Sequence, residues 1–382
     1  MRLAPVPAEG AAVLRALRGI LDGTGPALGL GMTDAAPRAV PDGTAAVITT
    51  SGSTGIPKAV VLGRAALLAS AAATAARVGH GPWLLTLPAG YVAGLQVLSR
   101  SLLAGHEPVL LEGHFDPVAF AAAARAMPPG SYTSLVPAQL ARLLDAADGG
   151  DRAVGDALRG FAAILVGGQA LPGTVRQRAE DAGARIVRTY GATETCGGCV
   201  YDGAPLEGVR MRVVDGEVRL AGPVLADGYL DDVALTERTF VRDADGVRWY
   251  RTGDAGTIED GILRIHGRID NVIVSGGVNI SLDRVERIVR DVPGLAGAVV
   301  VAVPDERWGE ASVIVVARAG AAESAPSSAA EAPQLQAARQ AVAARLGPHA
   351  RPARLVLVEQ LPTLRSGKPD RAAIRRAVLA RR

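Results

Sequence analysis

Lysine is almost absent from this chain. Of 41 Lys+Arg only two, Lys58 and Lys368, are lysine, so the cationic chemistry is otherwise carried by arginine. Cysteine is as scarce, with Cys196 and Cys199 standing together in Cys196-Gly197-Gly198-Cys199. A C-x-x-C pair can be a redox site or half a zinc site. Zinc would need two further ligands, and no other Cys or His lies close in sequence. The neighbouring residues do not read as the helix start of a thioredoxin-like unit either, which leaves two reduced thiols in a glycine-rich turn. Aromatic residues make up 3% and the formal net charge is only +3. With no basic stripe interleaved with aromatics, nucleic-acid binding is not expected. No apolar run approaches the roughly 20 residues that span a bilayer, and Met1–Leu17 lacks the continuous apolar segment of a signal peptide. A soluble protein of the cytoplasm, with no membrane insertion, is the expectation.

What is present is enough chain for two or three domains, 382 residues with 49% hydrophobic content. Residues 1–44 read as one amphipathic helix, about Ala8–Leu21, followed by a Gly/Pro/Asp-rich loop. From Val47 to about Gly191, apolar runs alternate with helical segments. Trp83–Leu87, Pro108–Leu111, Tyr132–Val136, Ile164–Gly167 and Ile186–Thr189 read as strands. Helices are expected near Val92–Leu103, Pro117–Ala126, Pro137–Ala147 and Pro172–Ala182, several opened by proline, which suits the first turn. Such alternation predicts a parallel sheet covered by helices, with ligands at the carboxyl ends of its strands. After Gly191, short strands joined by tight turns such as Asp215-Gly216 and Asp260-Gly261 predict a small antiparallel sheet or barrel. A boundary near Arg268-Ile269-Asp270 divides the chain into a large domain, 1–268, and a small mobile α+β domain, 269–382. Gly320–Gln334 is low in complexity and is expected to be a mobile loop.

The chain is organised around Thr49-Thr50-Ser51-Gly52-Ser53-Thr54-Gly55-Ile56-Pro57-Lys58. An apolar strand, Ala45–Ile48, precedes this stretch and an Ala/Leu-rich helix from about Gly63 follows it. Glycines allow close backbone approach, N–H groups and hydroxyls donate, and Lys58 neutralises charge, a combination suited to a phosphate chain. It is not the loop G-x-x-x-x-G-K-[ST], because Lys58 stands three residues after Gly55. Five further stretches follow in order: Val166-Gly167-Gly168-Gln169; Tyr190-Gly191-Ala192-Thr193-Glu194-Thr195; Tyr250-Arg251-Thr252-Gly253-Asp254; Gly267-Arg268-Ile269-Asp270 running on to Gly276-Gly277; and Arg365-Ser366-Gly367-Lys368. Alone, each would be a turn or a solvated charge in most proteins. Six in order resemble the adenylate-forming acyl-CoA synthetase and ligase superfamily.

That resemblance implies ATP-dependent ligation of a carboxylic acid to coenzyme A through an acyl-adenylate, with AMP and pyrophosphate released. It implies that Thr50–Gly55 and Lys58 hold phosphates, that Glu194 holds Mg²⁺ and that Thr193 touches the α-phosphate. Tyr190 would stack on adenine, with Gly167, Gly168, Gln169, Gly191 and Ala192 around the nucleotide. Asp254 would accept from the ribose hydroxyls beside Arg268. Lys368 would meet the acyl and phosphate oxygens, Asp270 would be the pivot of a rotating C-terminal domain, and Gly276-Gly277 would line the thiol tunnel.

Within the superfamily, the run from Tyr190 through Cys196-Gly197-Gly198-Cys199 is similar to short actinobacterial o-succinylbenzoate–CoA ligases of menaquinone synthesis. Tyr91, Gly94, Leu95 and Gln96 would then form one wall of an acyl pocket, with Ser134, Val136, Ala192 and Gly197 on others. The first loop comes early, so much of the usual N-terminal subdomain is expected to be missing; a homodimer is left open. No carrier domain is expected after residue 382, which favours free CoA as the thiol. The alternatives are an aryl- or fatty-acid–CoA ligase, an adenylation enzyme serving a separate carrier, and a non-catalytic nucleotide sensor, which would have no need of Lys58, Glu194, Asp254 and Lys368 together.

The lysine count yields a prediction. A chain that uses arginine almost everywhere and keeps Lys368 needs a compact ammonium rather than a planar fork. Lys368→Ala should slow adenylation on the order of 10²–10³-fold, with ATP affinity and melting temperature little changed. Lys368→Arg should remain slow, measured as pyrophosphate release; full recovery with arginine would refute the shape argument.

Overall fold

The computed structural model describes residues 1–32, 38–50, 57–111, 113–318, 327–364 and 368–381. Two compact units divide it. One comprises Met1–Leu171, Arg176–Thr252 and Ile258–Arg264; the other comprises Pro172–Val175, Gly253–Thr257 and Ile265–Arg382.

The first unit contains the parallel sheet that the alternating pattern predicts. Seven strands lie in the order Ala204–Pro205, Gly197–Tyr201, Ile186–Ala192, Ala163–Val166, Tyr132–Leu135, Trp83–Leu85 and Val109–Leu110. The five from Ile186–Ala192 to Val109–Leu110 are parallel, and Gly197–Tyr201 and Ala204–Pro205 are antiparallel additions. All four residues of Ala163–Val166 are buried, as in a strand covered on both faces. Helices Val92–Leu103, Pro117–Arg125 and Pro137–Asp148 lie within a residue of expectation. The helix Arg152–Gly160 was not anticipated. Its signal is Asp151, whose carboxylate accepts from the N–H groups of Ala153 and Val154 and so caps the helix start.

The strand before the phosphate-type loop belongs elsewhere. Thr44–Thr50 is not part of the parallel sheet but of a second, mixed sheet: Gly228–Tyr229, Lys58–Gly63, Thr44–Thr50, Ala27–Leu30, Arg2–Pro5 and Arg38–Ala39. Lys58–Gly63 pairs antiparallel with Thr44–Thr50, Thr50 opposite Lys58. The chain therefore returns as a strand before the helix Arg64–Val78 begins, and strand–loop–helix becomes strand–loop–strand–helix. The N-terminal region, expected to be one helix and a loop, also supplies three strands of two to four residues. Elements that short carry no readable periodicity, and only their pairing partners define them.

Arg210–Val214, Glu217–Ala221, Arg248–Glu259 and Phe240–Arg242 form the small antiparallel sheet, with Ile262–Arg268 on Arg248–Glu259. Asp215 and Gly216 have φ of 52 and 78°, and Asp260 and Gly261 have 51 and 76°. Positive φ at both central residues is what a two-residue hairpin turn requires, which is why Asp-Gly marked both places.

The second unit has its own sheet, Val278–Ser281, Val272–Ser275, Gly309–Ala317 and Val299–Asp305, with Arg354–Val358 parallel to Gly309–Ala317. Two apolar clusters cover it, one including Val285, Val289, Leu295 and Val342, the other Val313, Val315, Ile374 and Val378. The low-complexity stretch is not all loop. Residues 320–326 lie outside the described residues, but from Ser327 the chain is helix to Leu346, with Pro333 inside it. Alanine, glutamate and glutamine are strong helix formers, and here they outweigh the proline.

One backbone contact sets a limit that can be tested. A Cβ on Gly191 would stand 2.1 Å from the Gly197 carbonyl oxygen. Gly191→Ala should destabilise the fold by about 1–3 kcal/mol, as overpacking does. Gly160, with nothing within 4 Å of a built Cβ, should accept alanine without loss. Thermal unfolding of the two variants checks this, and equal melting temperatures would count against the strain.

Candidate active site

Strand Ile186–Ala192 turns back into Gly197–Tyr201 through one 3₁₀ turn, Thr193–Thr195. Thr195 clamps that turn: its hydroxyl accepts from the Ala192 N–H at 2.9 Å and reaches the Gly197 carbonyl at 2.8 Å. Cys196, with φ 50°, completes the reversal in the left-handed region. Thr193 and Glu194 project from this turn half-buried.

Glu194 is held at both ends. Its carbonyl accepts from the Ala226 N–H at 2.8 Å, and its carboxylate Oε1 accepts from the Tyr229 hydroxyl at 2.7 Å. Tyr229 is buried at 7% exposure on the two-residue strand that pairs with Lys58–Gly63, opposite Val60. The Lys58 Nζ lies 5.8 Å from the Tyr229 ring centroid, within cation–π range. Lys58, Glu194 and Tyr229, distant in sequence, thus form one cluster. Burial, then the neighbouring Glu194 carboxylate, pushes the Tyr229 phenol above its ordinary value, so it remains a proton donor at neutral pH. Tyr229 was missed in the sequence, where its only trace is Gly228-Tyr229 after an apolar run.

Thr50 ends the strand that enters the loop and Lys58 opens the strand that leaves it; Ser51, Gly52, Ser53, Thr54 and Gly55 lie outside the described residues. Gly167 follows strand Ala163–Val166, beside Ile186–Ala192. A Cβ there would come 2.2 Å from Thr189 Oγ1, and Gly168 has φ 81°, so both need glycine. Gln169 and Tyr190 are half-buried, and Gly191 is exposed.

The proposed acyl-wall residues are not all neighbours. Gln96, on helix Val92–Leu103, faces Gly197, whose built Cβ would come 3.6 Å from Gln96 Cγ. Tyr91 caps the start of that helix, Gly94 packs against the Pro88 carbonyl, and Leu95 is fully buried core. Ser134 and Val136 stand at the end of strand Tyr132–Leu135, two strands from Ala192, about 10 Å at ordinary strand spacing.

Within the second unit, Arg268 gathers two of the predicted residues. Its guanidinium meets Asp254 at 3.5 Å and takes both oxygens of Asp270 at 3.0 and 3.1 Å. Gly276 and Gly277, with φ of 59 and 80°, form the two-residue turn between Val272–Ser275 and Val278–Ser281. Lys368 is exposed, its carbonyl accepting from the Leu364 N–H at 2.8 Å; Arg365–Gly367 lie outside the described residues.

Cys196 and Cys199 are free and buried. Burial pushes the Cys199 thiol up to about 12 and the Cys196 thiol higher still, leaving neither a thiolate nucleophile at neutral pH. Among the described residues no group of three or more His, Cys, Asp or Glu could hold a metal. A lone carboxylate such as Glu194 fits Mg²⁺ carried mainly by phosphate oxygens and water, not an all-protein cage.

The phenol–carboxylate contact can be tested directly. Tyr229→Phe removes one hydroxyl and leaves Glu194 free to turn. Hydrogen bonds to charged groups contribute about 1.5–3 kcal/mol, so adenylation should fall roughly tenfold or more, with a raised Mg²⁺ requirement. Titrating pyrophosphate release against Mg²⁺ decides it; a wild-type Mg²⁺ curve would exclude the positioning role.

Residues 8–230 match the family model described as AMP-binding enzyme, and residues 284–368 match the AMP-binding enzyme C-terminal domain. The chain is 39% identical over 314 residues to a "Probable 2-succinylbenzoate--CoA ligase" of Mycobacterium tuberculosis, covering 80% of this chain and 77% of that protein. It is 33% identical over 245 residues to the 2-succinylbenzoate--CoA ligase of Escherichia coli, covering 62% and 50%. Among solved structures, wild-type E. coli MenE with a bound m-phenylether-linked analogue of OSB-AMS superposes with a TM-score of 0.63 at 27% identity, covering 96% of this chain and 80% of that one. None of the described helices is long and apolar enough to cross a membrane. With its six ordered motifs and its large α/β and smaller C-terminal units, the chain belongs to the AMP-binding enzyme family.

Proposed function

We propose that this protein joins o-succinylbenzoate to coenzyme A, consuming ATP and releasing AMP and pyrophosphate. The observation that carries the chemistry is the cluster of Lys58, Tyr229 and Glu194, an ammonium and a fixed carboxylate beside the turn that holds Thr193. The choice of acid rests on the ligases of M. tuberculosis and E. coli to which the chain is similar.

In the first half-reaction the acid's carboxylate attacks the α-phosphorus of ATP and pyrophosphate leaves. Negative charge concentrates on the phosphoryl oxygens, so preorganised cations and donors lower the barrier more than added binding would. Lys58 and the Thr50–Gly55 stretch hold the departing phosphates, and Thr193 donates to the α-phosphate. Glu194, kept in place by the Tyr229 hydroxyl, is the protein ligand for Mg²⁺, which supplies charge neutralisation to the phosphates. Tyr190 and the backbone at Gly167-Gly168 hold adenine, Asp254 takes the ribose hydroxyls, and Lys368 meets the acyl and phosphate oxygens. In the second half-reaction the CoA thiol attacks the acyl carbon and AMP leaves. Asp270 is the pivot between domains 1–268 and 269–382, and Gly276-Gly277 borders the thiol path. A cytoplasmic setting, where ATP and CoA are at hand, belongs to the same reading.

A fatty acid is the second reading for the substrate. It is favoured by 41% identity to a medium/long-chain-fatty-acid--CoA ligase of M. tuberculosis, although that likeness covers only 42% of this chain.

Pyrophosphate release over a panel of acids, with and without CoA, tests the proposal. Release with o-succinylbenzoate and its conversion to the CoA thioester are expected. Release without CoA consumption would indicate a carrier-dependent enzyme, and none with any acid would indicate a nucleotide sensor. Glu194→Gln should lower adenylation strongly and raise the Mg²⁺ requirement with the fold intact; unchanged Mg²⁺ dependence would remove the metal role.

A further inference from the structure

Helix Leu282–Arg290 carries a carboxylate that its own start does not need. The N-cap is Ser281, whose hydroxyl accepts from the Arg284 N–H at 3.4 Å. Asp283, in the first turn, spends both oxygens outside the helix instead. Its Oδ2 accepts from the Arg268 N–H and its Oδ1 from the Asn271 amide, each at 2.8 Å. Those two residues enclose Asp270, the proposed pivot, and the Asn271 carbonyl accepts in turn from the Leu282 N–H at 3.0 Å. The approach is close. A Cβ on Gly267, where φ is 140°, would stand 2.6 Å from Asp283 Cβ, so glycine is required for the pivot segment to reach the carboxylate.

The same carboxylate faces a residue near the C-terminal end of the sequence. Arg371 Nη2 lies 3.6 Å from Asp283 Oδ1 and 2.8 Å from Glu286 Oε2, and Nη1 donates to the Val300 carbonyl at 2.8 Å. Glu286, buried at 5% exposure, also takes the Val300 N–H at 2.9 Å and Arg290 at 2.8 Å. A planar guanidinium held on both carboxylates and a carbonyl keeps one orientation, which an ammonium would not. Arg371 opens helix Arg371–Leu379, capped by the Asp370 carboxylate, and Lys368 stands three residues before it. That short link is itself tied down. The Asp370 N–H donates to the Pro362 carbonyl, and the Lys368 carbonyl accepts from the Leu364 N–H, both at 2.8 Å. Asp283 and Arg371 thus connect the pivot segment to the segment that bears Lys368, all within the second unit.

We propose that Asp283 and Arg371 are positioning residues: together they fix the place of Lys368 relative to the pivot, so that one movement of the second unit delivers the lysine in register. The inference rests on the acid–thiol ligase reading, and on the role given there to Lys368, but not on the identity of the acid. Neither residue touches substrate. Their effect reaches the chemistry only through the lysine, whose contact with the reacting oxygens counts in the transition state of adenylation. A catalytic group displaced by about 1 Å can lose on the order of 10²-fold in rate, so loosening this link is costly even though the core beneath it stays packed.

The test combines Asp283→Asn and Arg371→Met, each in the whole chain, with Lys368→Ala. Alone, each should lower kcat of pyrophosphate release about 10–100-fold and leave KM for ATP within about twofold. In the Lys368→Ala background neither should lower the residual rate by more than about twofold, because the group they position is gone. Thioester formation from preformed acyl-adenylate and CoA should stay within about threefold in both. Arg290→Met is the control for stability: it breaks the pair with Glu286 on the same helix without touching the pivot segment. It should lower the melting temperature and leave kcat within about twofold. Losses that add fully to that of Lys368→Ala would make Asp283 and Arg371 structural and overturn the inference, as would equal losses in both half-reactions. Undiminished adenylation by Lys368→Ala would overturn it too, while leaving the ligase reading in place. No release by the unmodified protein with any acid would overturn the ligase reading and this inference together.

Discussion

The ladder between Ile186–Ala192 and Gly197–Tyr201 constrains more of this molecule than any other contact. A Cβ on Gly191 would stand 2.1 Å from the Gly197 carbonyl oxygen, and one on Gly198 would stand 2.9 Å from Thr189 Cβ. The two strands are joined by the tight turn Thr193–Thr195, tied by the Thr195 hydroxyl. The turn fixes where Glu194 projects, and from there Tyr229 and Lys58 are within reach. On the opposite side the same ladder presents Gly197 to Gln96. Steric exclusion at a few glycines therefore sets the geometry on both sides of the turn.

The electrostatics follow a consistent division. Where the proposed reaction would neutralise charge, the chain retains lysine, at Lys58 and Lys368. Where charge organises structure, it uses arginine. Arg268 forks onto Asp270 while touching Asp254, and Arg371 bridges Asp283 and Glu286. A planar guanidinium suits fixed bidentate pairs, and a mobile ammonium suits oxygens whose charge changes. Arg100 is the exception, buried over Trp83 with no carboxylate paired to it among the described residues.

The hydroxyl of Tyr229 links two sheets of the first unit. Its strand extends the mixed sheet, while its proton is donated to a residue at the edge of the parallel one. Each sheet alone would carry half of the proposed phosphate-binding residues. The hydrogen bond couples the strand that leaves the phosphate-type loop to the turn that carries Thr193.

The sequence by itself determined the order of motifs, the parallel core and the hairpin turns. Gly-rich and acidic signatures keep fixed spacings, and helical and strand periodicities are local properties of the chain. Asp215-Gly216 and Asp260-Gly261 were legible because positive φ selects residue type directly. Only the tertiary structure decided that Thr44–Thr50 leaves the parallel sheet, that a strand separates the loop from its helix, and that Tyr229 meets Glu194. Those outcomes depend on pairing between segments as far apart as Val60 and Tyr229, or Leu3 and Ala27, which no local pattern encodes. The unpaired amide of Gln96 was hidden for the same reason. By residue type a glutamine in a helix reads as solvent-facing; the resemblance set Gln96 on an acyl wall, and only the fold shows that its amide is buried.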